Sequence, residues 1–191
     1  MQMYDELEYW GKRECPNSAS DRDTQSHRDF TKKHLRGCKK ILAFGVGVGR
    51  MFPAFSEVTE VIGYDISEKY KEEVIKYAEE MPFKYTHIVE DKIKELPFDD
   101  GEFDAVVCVS VLLHQRPTNI ERVMKEVARV GKKTIVVSYY ECYQPFSTDL
   151  NTALNNYCFN HNYEYLCKIN DWTMKDKLVS DIERQIYFVY Y

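Results

Sequence analysis

The chain has 191 residues, 44% hydrophobic and 30% charged, a balance that suits one globular core and excludes a disordered or membrane-embedded polypeptide. No apolar run approaches the ~20 residues that span a bilayer, and Met1-Gln2-Met3-Tyr4-Asp5 lacks the basic-then-apolar start of a secretory signal, so a cytoplasmic protein with no membrane partner is expected. The formal net charge of −5 argues against duplex nucleic acid as a partner.

Residues 1–37 read as helical with a loop around Pro16 to Ser20, a cap or lid segment ahead of a core at 38–191, the two making one domain. Basic residues outnumber acids from Lys12 to Lys40. A solvated helical face explains that stretch most simply, and a site for an anionic acceptor is the sharper alternative. Lys40 to Phe44 is a short apolar run closed by glycines, the pattern of a strand buried on both faces of a parallel sheet. Glu60 to Asp65 reads as the second strand, and Ser67 as the N-cap of a helix from Glu68 to Met81 that Pro82 stops. Lys84 to Val89 supplies a third strand and Phe103 to Val109 a fourth, after the Asp99-Asp100-Gly101 turn.

The next helix has a capping-box pattern at Thr118 and Glu121, an apolar face of Ile120, Val123, Met124, Val127 and Val130, and Gly131 as its stop. A fifth strand runs from Lys133 to Tyr139. The tail reads as a helix from about Asp149 to Asn160, then strands Tyr163–Ile169 and Arg184–Tyr191 joined by a polar loop and paired antiparallel. Together these predict an α/β fold: a Rossmann-like, doubly wound seven-strand sheet, mostly parallel with an antiparallel C-terminal edge strand and helices on both faces.

The chemistry concentrates where strands end. Gly45, Gly47 and Gly49 follow the first strand at alternate positions, where glycine permits positive φ and lets a ligand lie against bare peptide groups. A helix starting there would add free N–H groups. Asp65 lies twenty residues beyond Gly45 at the end of the next strand, where a carboxylate can take both hydroxyls of a ribose. Glu90, Asp91 and Lys92 end the third strand, where an acid and a backbone N–H can read the edge of adenine. All three positions fall at strand carboxyl ends, the ligand crevice of an open α/β sheet. The six cysteines lack the spacing of a disulfide scaffold, and Cys158, His161 and Cys167 lack the paired spacing of a zinc site, so no disulfide and no metal are expected.

Gly45 to Gly49, Val61 to Ser67 and Leu96 to Asp104 in this order resemble the successive motifs of the class I S-adenosylmethionine-dependent methyltransferases, of the small-molecule, type 11-like group. The likeness covers roughly residues 38–140. It implies S-adenosyl-L-methionine as cofactor and S-adenosyl-L-homocysteine as product. The cofactor's methionine part would lie on Gly45, Val46, Gly47 and Gly49, its ribose on Asp65 beside Ile66, and its adenine on Asp91 and Lys92, with Val109, Ser110 and Leu112 lining the methyl-bearing side. One departure is Ala43, which stands where the family usually has Asp or Glu.

In-line transfer to an oxygen or nitrogen needs alignment, and a base where the acceptor carries a proton. Candidates near the strand ends are His114, Tyr139, Tyr140 and Glu141, with His114 the first choice. Tyr9, Trp10 and Arg13 are candidates for a lid or for ordinary packing. No Asn-Pro-Pro-Tyr or Asp-Pro-Pro-Tyr follows the fourth strand, and no cysteine nucleophile is evident, so a small molecule or glycan is the expected acceptor and a monomer or homodimer the expected assembly. Two alternatives stand beside this reading. A nicotinamide-dependent oxidoreductase would use the same glycine loop and ribose acid, although its usual Gly-x-Gly-x-x-Gly spacing is missing; a catalytically silent S-adenosylmethionine-binding module would account for Ala43.

Overall fold

The apolar runs become strands because each can be buried on both faces at once. The computed structural model describes residues 10, 21–90, 95–139, 158–180 and 185–191. In chain order the elements are α1 (Asp21–Leu35), β1 (Lys40–Phe44), a 3-10 turn (Phe52–Phe55), β2 (Glu60–Asp65), α2 (Lys71–Ala78), β3 (Lys84–Val89) and β4 (Ala105–Val109). A second 3-10 turn (Leu112–His114), α3 (Ile120–Val130), β5 (Thr134–Tyr139), α4 (Tyr163–Ile169), β6 (Met174–Ser180) and β7 (Gln185–Tyr190) follow.

The sheet has seven strands in the order β3-β2-β1-β4-β5-β7-β6. Strands β1 to β5 are parallel, with Ile41 beside Val61 on one side and Ala105 on the other. β7 runs antiparallel between β5 and β6, so the seven-strand, mostly parallel reading holds, with the reversed strand one place in from the edge. Alternation divides the core between the two faces. Leu42, Phe44, Val106, Cys108 and Val136 pack with the apolar face of α3, while Ile41, Ala43, Val61, Val107 and Ile135 pack with Leu35, Phe52, Phe55 and Val74. Full burial of each large side chain contributes roughly 1.5–3 kcal/mol.

Four expectations are corrected. Tyr163–Ile169 is a helix, not a strand, and the segment read as a polar loop is β6. Asn162 caps that helix by accepting the Tyr165 N–H at 2.9 Å, and Tyr163, Leu166 and Cys167 bury one helical face while Tyr165 points to solvent. Lys175, Asp176 and Lys177 suit an exposed edge strand, where a bulge with Asp176 at φ +49° interrupts the register. The helix after β2 starts at Lys71 rather than Glu68, because Asp65 Oδ1 accepts the Ser67 N–H at 2.9 Å and turns the chain first. It ends at Ala78 rather than Met81.

The third correction concerns α3, which begins after Asn119 without a side-chain cap, Glu121 pairing instead with Lys125 at 2.8 Å. Gly131 is extended at φ −112° and permits close packing, since a Cβ there would lie 2.6 Å from Val106 Cγ2. The fourth is that β1 leads into a 3-10 turn with Pro53 at its start, not into an α-helix, so no long helix dipole faces the glycine loop. The expected helix near Asp149–Asn160 falls mostly outside the described residues, and residues 158–160 are not helical.

Polar contacts hold the end of the sheet opposite the glycine loop. Asp104 Oδ2 accepts the Lys39 and Lys40 N–H groups at 2.8 and 3.2 Å, and Oδ1 accepts Lys132 Nζ at 2.8 Å. Arg129 donates to the carbonyls of Leu96 and Phe98 at 2.9 and 2.8 Å, pinning the loop that precedes β4. The Lys132 bond, followed by that from Lys39, holds the Asp104 carboxyl down at about 2.

Because the folded-state value is depressed, the stability contributed by Asp104 is complete above about pH 4 and is lost as pH falls through about 2. Asp104→Asn therefore lowers the thermal midpoint at neutral pH by about 2–8 °C, corresponding to about 1–2 kcal/mol of charge-assisted hydrogen bonding. The difference from the parent protein shrinks as the pH is taken down to about 2. Thermal melts of both proteins across that range check it, and a difference independent of pH counts against the role given to the carboxylate.

Candidate active site in the crevice at the strand ends

The glycine loop takes its shape from β1 and β2 together. Gly45 N–H donates to the Tyr64 carbonyl at 2.8 Å, which carries the end of β1 across β2. Gly45, Gly47 and Gly49 all have positive φ, but their surroundings differ. A Cβ on Gly45 would lie 2.4 Å from Val111 Cγ2, and one on Gly49 would lie 2.8 Å from the Phe52 ring. At Gly47, where φ is +53°, a Cβ would meet nothing within 4 Å. The outer glycines therefore allow close packing, and the middle one presents bare backbone to open space.

Asp65 closes on this loop from the end of β2. Its Oδ2 accepts the Gly47 N–H at 2.8 Å and its Oδ1 accepts the Ser67 N–H at 2.9 Å. Each oxygen retains lone-pair capacity, so the carboxylate can be held in place and still receive hydroxyls. Ile66 follows, half-buried.

β4 supplies the opposite wall. Val109 is buried and Leu112 is wholly buried in the core beneath the crevice. Between them Ser110 adopts φ +53°, its N–H donating to the Val137 carbonyl at 2.8 Å, and its buried hydroxyl has no hydrogen-bond partner among the described residues. His114 ends the turn that follows. Its Nδ1 lies 3.7 Å from Cys158 Sγ, and its ring meets the Trp10 ring edge-on with centroids 4.5 Å apart. The Trp10 carbonyl is 3.5 Å from Ser67 Oγ, so this residue bridges the turn after β2 and the turn after β4. Tyr139 ends β5 opposite Gln185. Tyr9, Arg13, Asp91, Lys92, Tyr140 and Glu141 lie outside the described residues.

Some neighbours of the crevice escaped the sequence reading. Tyr85 and His87 stand on one face of β3, the phenol 2.7 Å from His87 Nδ1, and the Tyr85 ring fills the space a side chain at residue 63 would need. A glycine inside a strand pattern is the signal for such close approach, and Gly63 carries it. Burial lowers the His87 pKa, while the nearby Asp65 charge opposes that shift. His161 is driven down to about 4 by burial, a shift that the main chain at Gln115 and Leu112 opposes. Phe159 N–H donates to the Leu113 carbonyl at 2.8 Å, so residues 158–161 brace the turn that holds His114. Ala43 is buried with Ile41, Met51 and Val107 and offers nothing to a ligand. Among the described residues no group of three His, Cys, Asp or Glu side chains converges as a metal site would, and no helix is long and apolar enough to cross a membrane.

Gly47, Asp65 and Ser110 thus lie together at the carboxyl ends of the adjacent strands β1, β2 and β4. Comparison with known proteins points the same way. A family model described as a methyltransferase domain matches residues 42–136. A phosphatidylethanolamine N-methyltransferase of Cereibacter sphaeroides is 31% identical over 123 residues, covering 61% of this chain, and the match spans 59% of that relative's length. Among solved structures, a SAM-dependent methyltransferase of Leishmania major superposes with a TM-score of 0.75 at 12% identity, covering 96% of this chain and 80% of that one. Magnesium protoporphyrin IX methyltransferase of Synechocystis, solved with bound SAM, gives 0.65 at 17% identity, covering 95% and 86%. These structural likenesses carry the fold, while the family match spans the glycine loop, the β2 carboxylate and the β4 wall, and over residues 42–136 the chain carries a methyltransferase domain of the class I S-adenosylmethionine-dependent type.

Proposed function

We propose that the protein passes the methyl group of S-adenosylmethionine in line to an oxygen or nitrogen of a small-molecule or glycan acceptor. The observation that carries this reading is the 2.8 Å contact between the Gly47 N–H and Asp65, which sets bare backbone and a carboxylate side by side at the strand ends. Gly45, Val46, Gly47 and Gly49 would hold the amino-acid part of the cofactor, Asp65 and Ile66 the ribose, Asp91 and Lys92 the adenine, and Val109 and Ser110 the wall beside the reacting centre, with Leu112 packed in the core behind it. When bound, S-adenosylmethionine supplies a methyl group on a positively charged sulfur, an electrophile that needs no further activation.

The protein's own part is to align the acceptor and exclude water. His114, whose Nδ1 lies 3.7 Å from Cys158 Sγ, would take a proton from an acceptor hydroxyl or ammonium. Tyr9, Trp10 and Arg13 would form the cover of the crevice, and Tyr139 and Tyr140 its acceptor side. Between the two acceptor atoms, nitrogen has the support of the relative named as an N-methyltransferase. A cytoplasmic monomer or homodimer completes the reading.

Calorimetry with S-adenosylmethionine, S-adenosylhomocysteine and NADH tests it, with binding expected for the first two alone; NADH binding without the others overturns it. Asp65→Asn is expected to weaken S-adenosylhomocysteine about 10-fold or more, since a charged hydrogen bond contributes roughly 1.5–3 kcal/mol.

Ala43→Asp separates the missing family acid from a drifted enzyme. The new carboxylate would enter the apolar cluster around Ile41 and Met51, so the thermal midpoint should fall by at least about 4 °C with no gain in cofactor affinity. A sharp rise in affinity instead would identify a site that has lost its acid.

A further inference from the structure

The phenol oxygen of Tyr85 stands where a Cβ on Gly63 would be. Side chains at 63 and 65 share one face of β2, so this hydroxyl lies directly behind Asp65 along the strand. The Tyr85 ring is held there edge-on to Phe52, with centroids 5.2 Å apart, and Phe52 in turn backs Gly49. His87, which pairs with Gly63 across the ladder, meets the hydroxyl through Nδ1 at 2.7 Å.

The direction of that bond follows from the atoms it leaves over. Burial, and after it the Asp65 charge, push the Tyr85 phenol up, so it keeps its proton. If the phenol donates to Nδ1, His87 Nε2 carries the ring hydrogen and is the one polar atom of the pair left without a partner among the described residues. If the imidazole donates instead, the phenol hydrogen is stranded as well as Nε2. The first arrangement is therefore the better one while His87 is neutral. Burial favours the neutral ring by lowering the His87 pKa; Asp65 opposes that shift, Lys71 adds to it and Glu68 opposes it, the last two pairing with each other at 2.8 Å. Among the described residues, Asp65 of β2, Glu68 and Lys71 at the turn into α2, and Tyr85 of β3 are thus the titratable groups that act on this imidazole.

A proton on His87 reverses the bond. Nδ1 becomes a donor, the phenol oxygen accepts, and the O–H must turn to another acceptor. Asp65 is the anion whose charge reaches both residues. A carboxylate already holding the Gly47 and Ser67 N–H groups would then give a further lone pair to the phenol instead of to a ligand hydroxyl.

We propose that Tyr85 and His87 are a positioning pair for Asp65: the phenol is turned away from the carboxylate while His87 is neutral and onto it when His87 is protonated, so that cofactor affinity falls on the acid side of neutrality. The proposal rests on the methyltransferase reading above and adds to it a pH dependence traced to two residues outside the cofactor contacts named there. Because the His87 value is lowered from 6.5, affinity is level above about pH 7 and falls as the pH drops below about 6.5.

The test is calorimetry with S-adenosylhomocysteine at pH 8 and pH 5 on the parent protein, His87→Gln and Tyr85→Phe, each protein compared with itself. Gln offers the phenol an acceptor but takes no proton, and Phe keeps the ring over Gly63 with no hydroxyl to redirect. The parent is expected to bind about 5- to 10-fold more weakly at pH 5, and each variant to change by about 2-fold or less. Equal parent affinity at the two pH values, or a fall in either variant as large as the parent's, overturns the proposal and leaves the methyltransferase reading intact. Failure of the parent to bind S-adenosylhomocysteine at either pH overturns both.

Discussion

The hydrogen bond from Gly47 N–H to Asp65 is the constraint on which the crevice depends. A loop after a parallel strand has many conformations, and its glycines widen the choice. The carboxylate of the neighbouring strand narrows it by anchoring one loop N–H and, through Ser67, the start of the following turn. In this fold that anchoring matters more than usual, because a 3-10 turn replaces the α-helix that would otherwise cap the loop.

The two ends of the sheet serve different needs. At the amino ends of β1 and β4 the polar groups satisfy one another: Asp104 binds Lys39, Lys40 and Lys132, and Arg129 with Glu126 fixes the loop before β4. At the carboxyl ends, by contrast, polar groups retain unused capacity, at Asp65, at Ser110 and at the open face of Gly47. A sheet whose base is tied by charged hydrogen bonds can tolerate unsatisfied chemistry at its top, since the strain there is small beside the burial that sets the strands. The outer flank adds to this rigidity, because His27 of α1 and Tyr187 of β7 share the buried Gln185 side chain, joining the first described helix to the last strand.

Legibility in the sequence followed physical specificity. β1 and β2 begin and end where the apolar runs do, because parallel strands buried on two faces leave a continuous hydrophobic signal. The tail misled for the opposite reason: Tyr163-Glu164-Tyr165-Leu166 alternates like a strand, and only the Asn162 cap distinguishes it, whereas Lys175, Asp176 and Lys177 disguise an edge strand as a loop. Gly45, Gly47 and Asp65 could be singled out because their chemistry lies in residue type and spacing. The strain at Ser110 could not, since a positive φ at serine leaves no compositional mark, nor could the pairing of His114 with Cys158, which joins residues 44 apart.

That pairing bears on how an acceptor would be met. A histidine at the end of a strand is a weak base candidate while either ring nitrogen is free to turn outward. Here Cys158 engages Nδ1, the Trp10 ring stands against the imidazole, and the main chain of Phe159 ties the segment carrying the thiol to Leu113. His161, by contrast, is driven down to about 4 by burial and stays neutral at neutral pH. Of the two histidines beside the β4 turn, one is thus buried and neutral and the other is oriented. The orientation comes from a stretch of chain that lies beyond the span of the family match, which ends at residue 136.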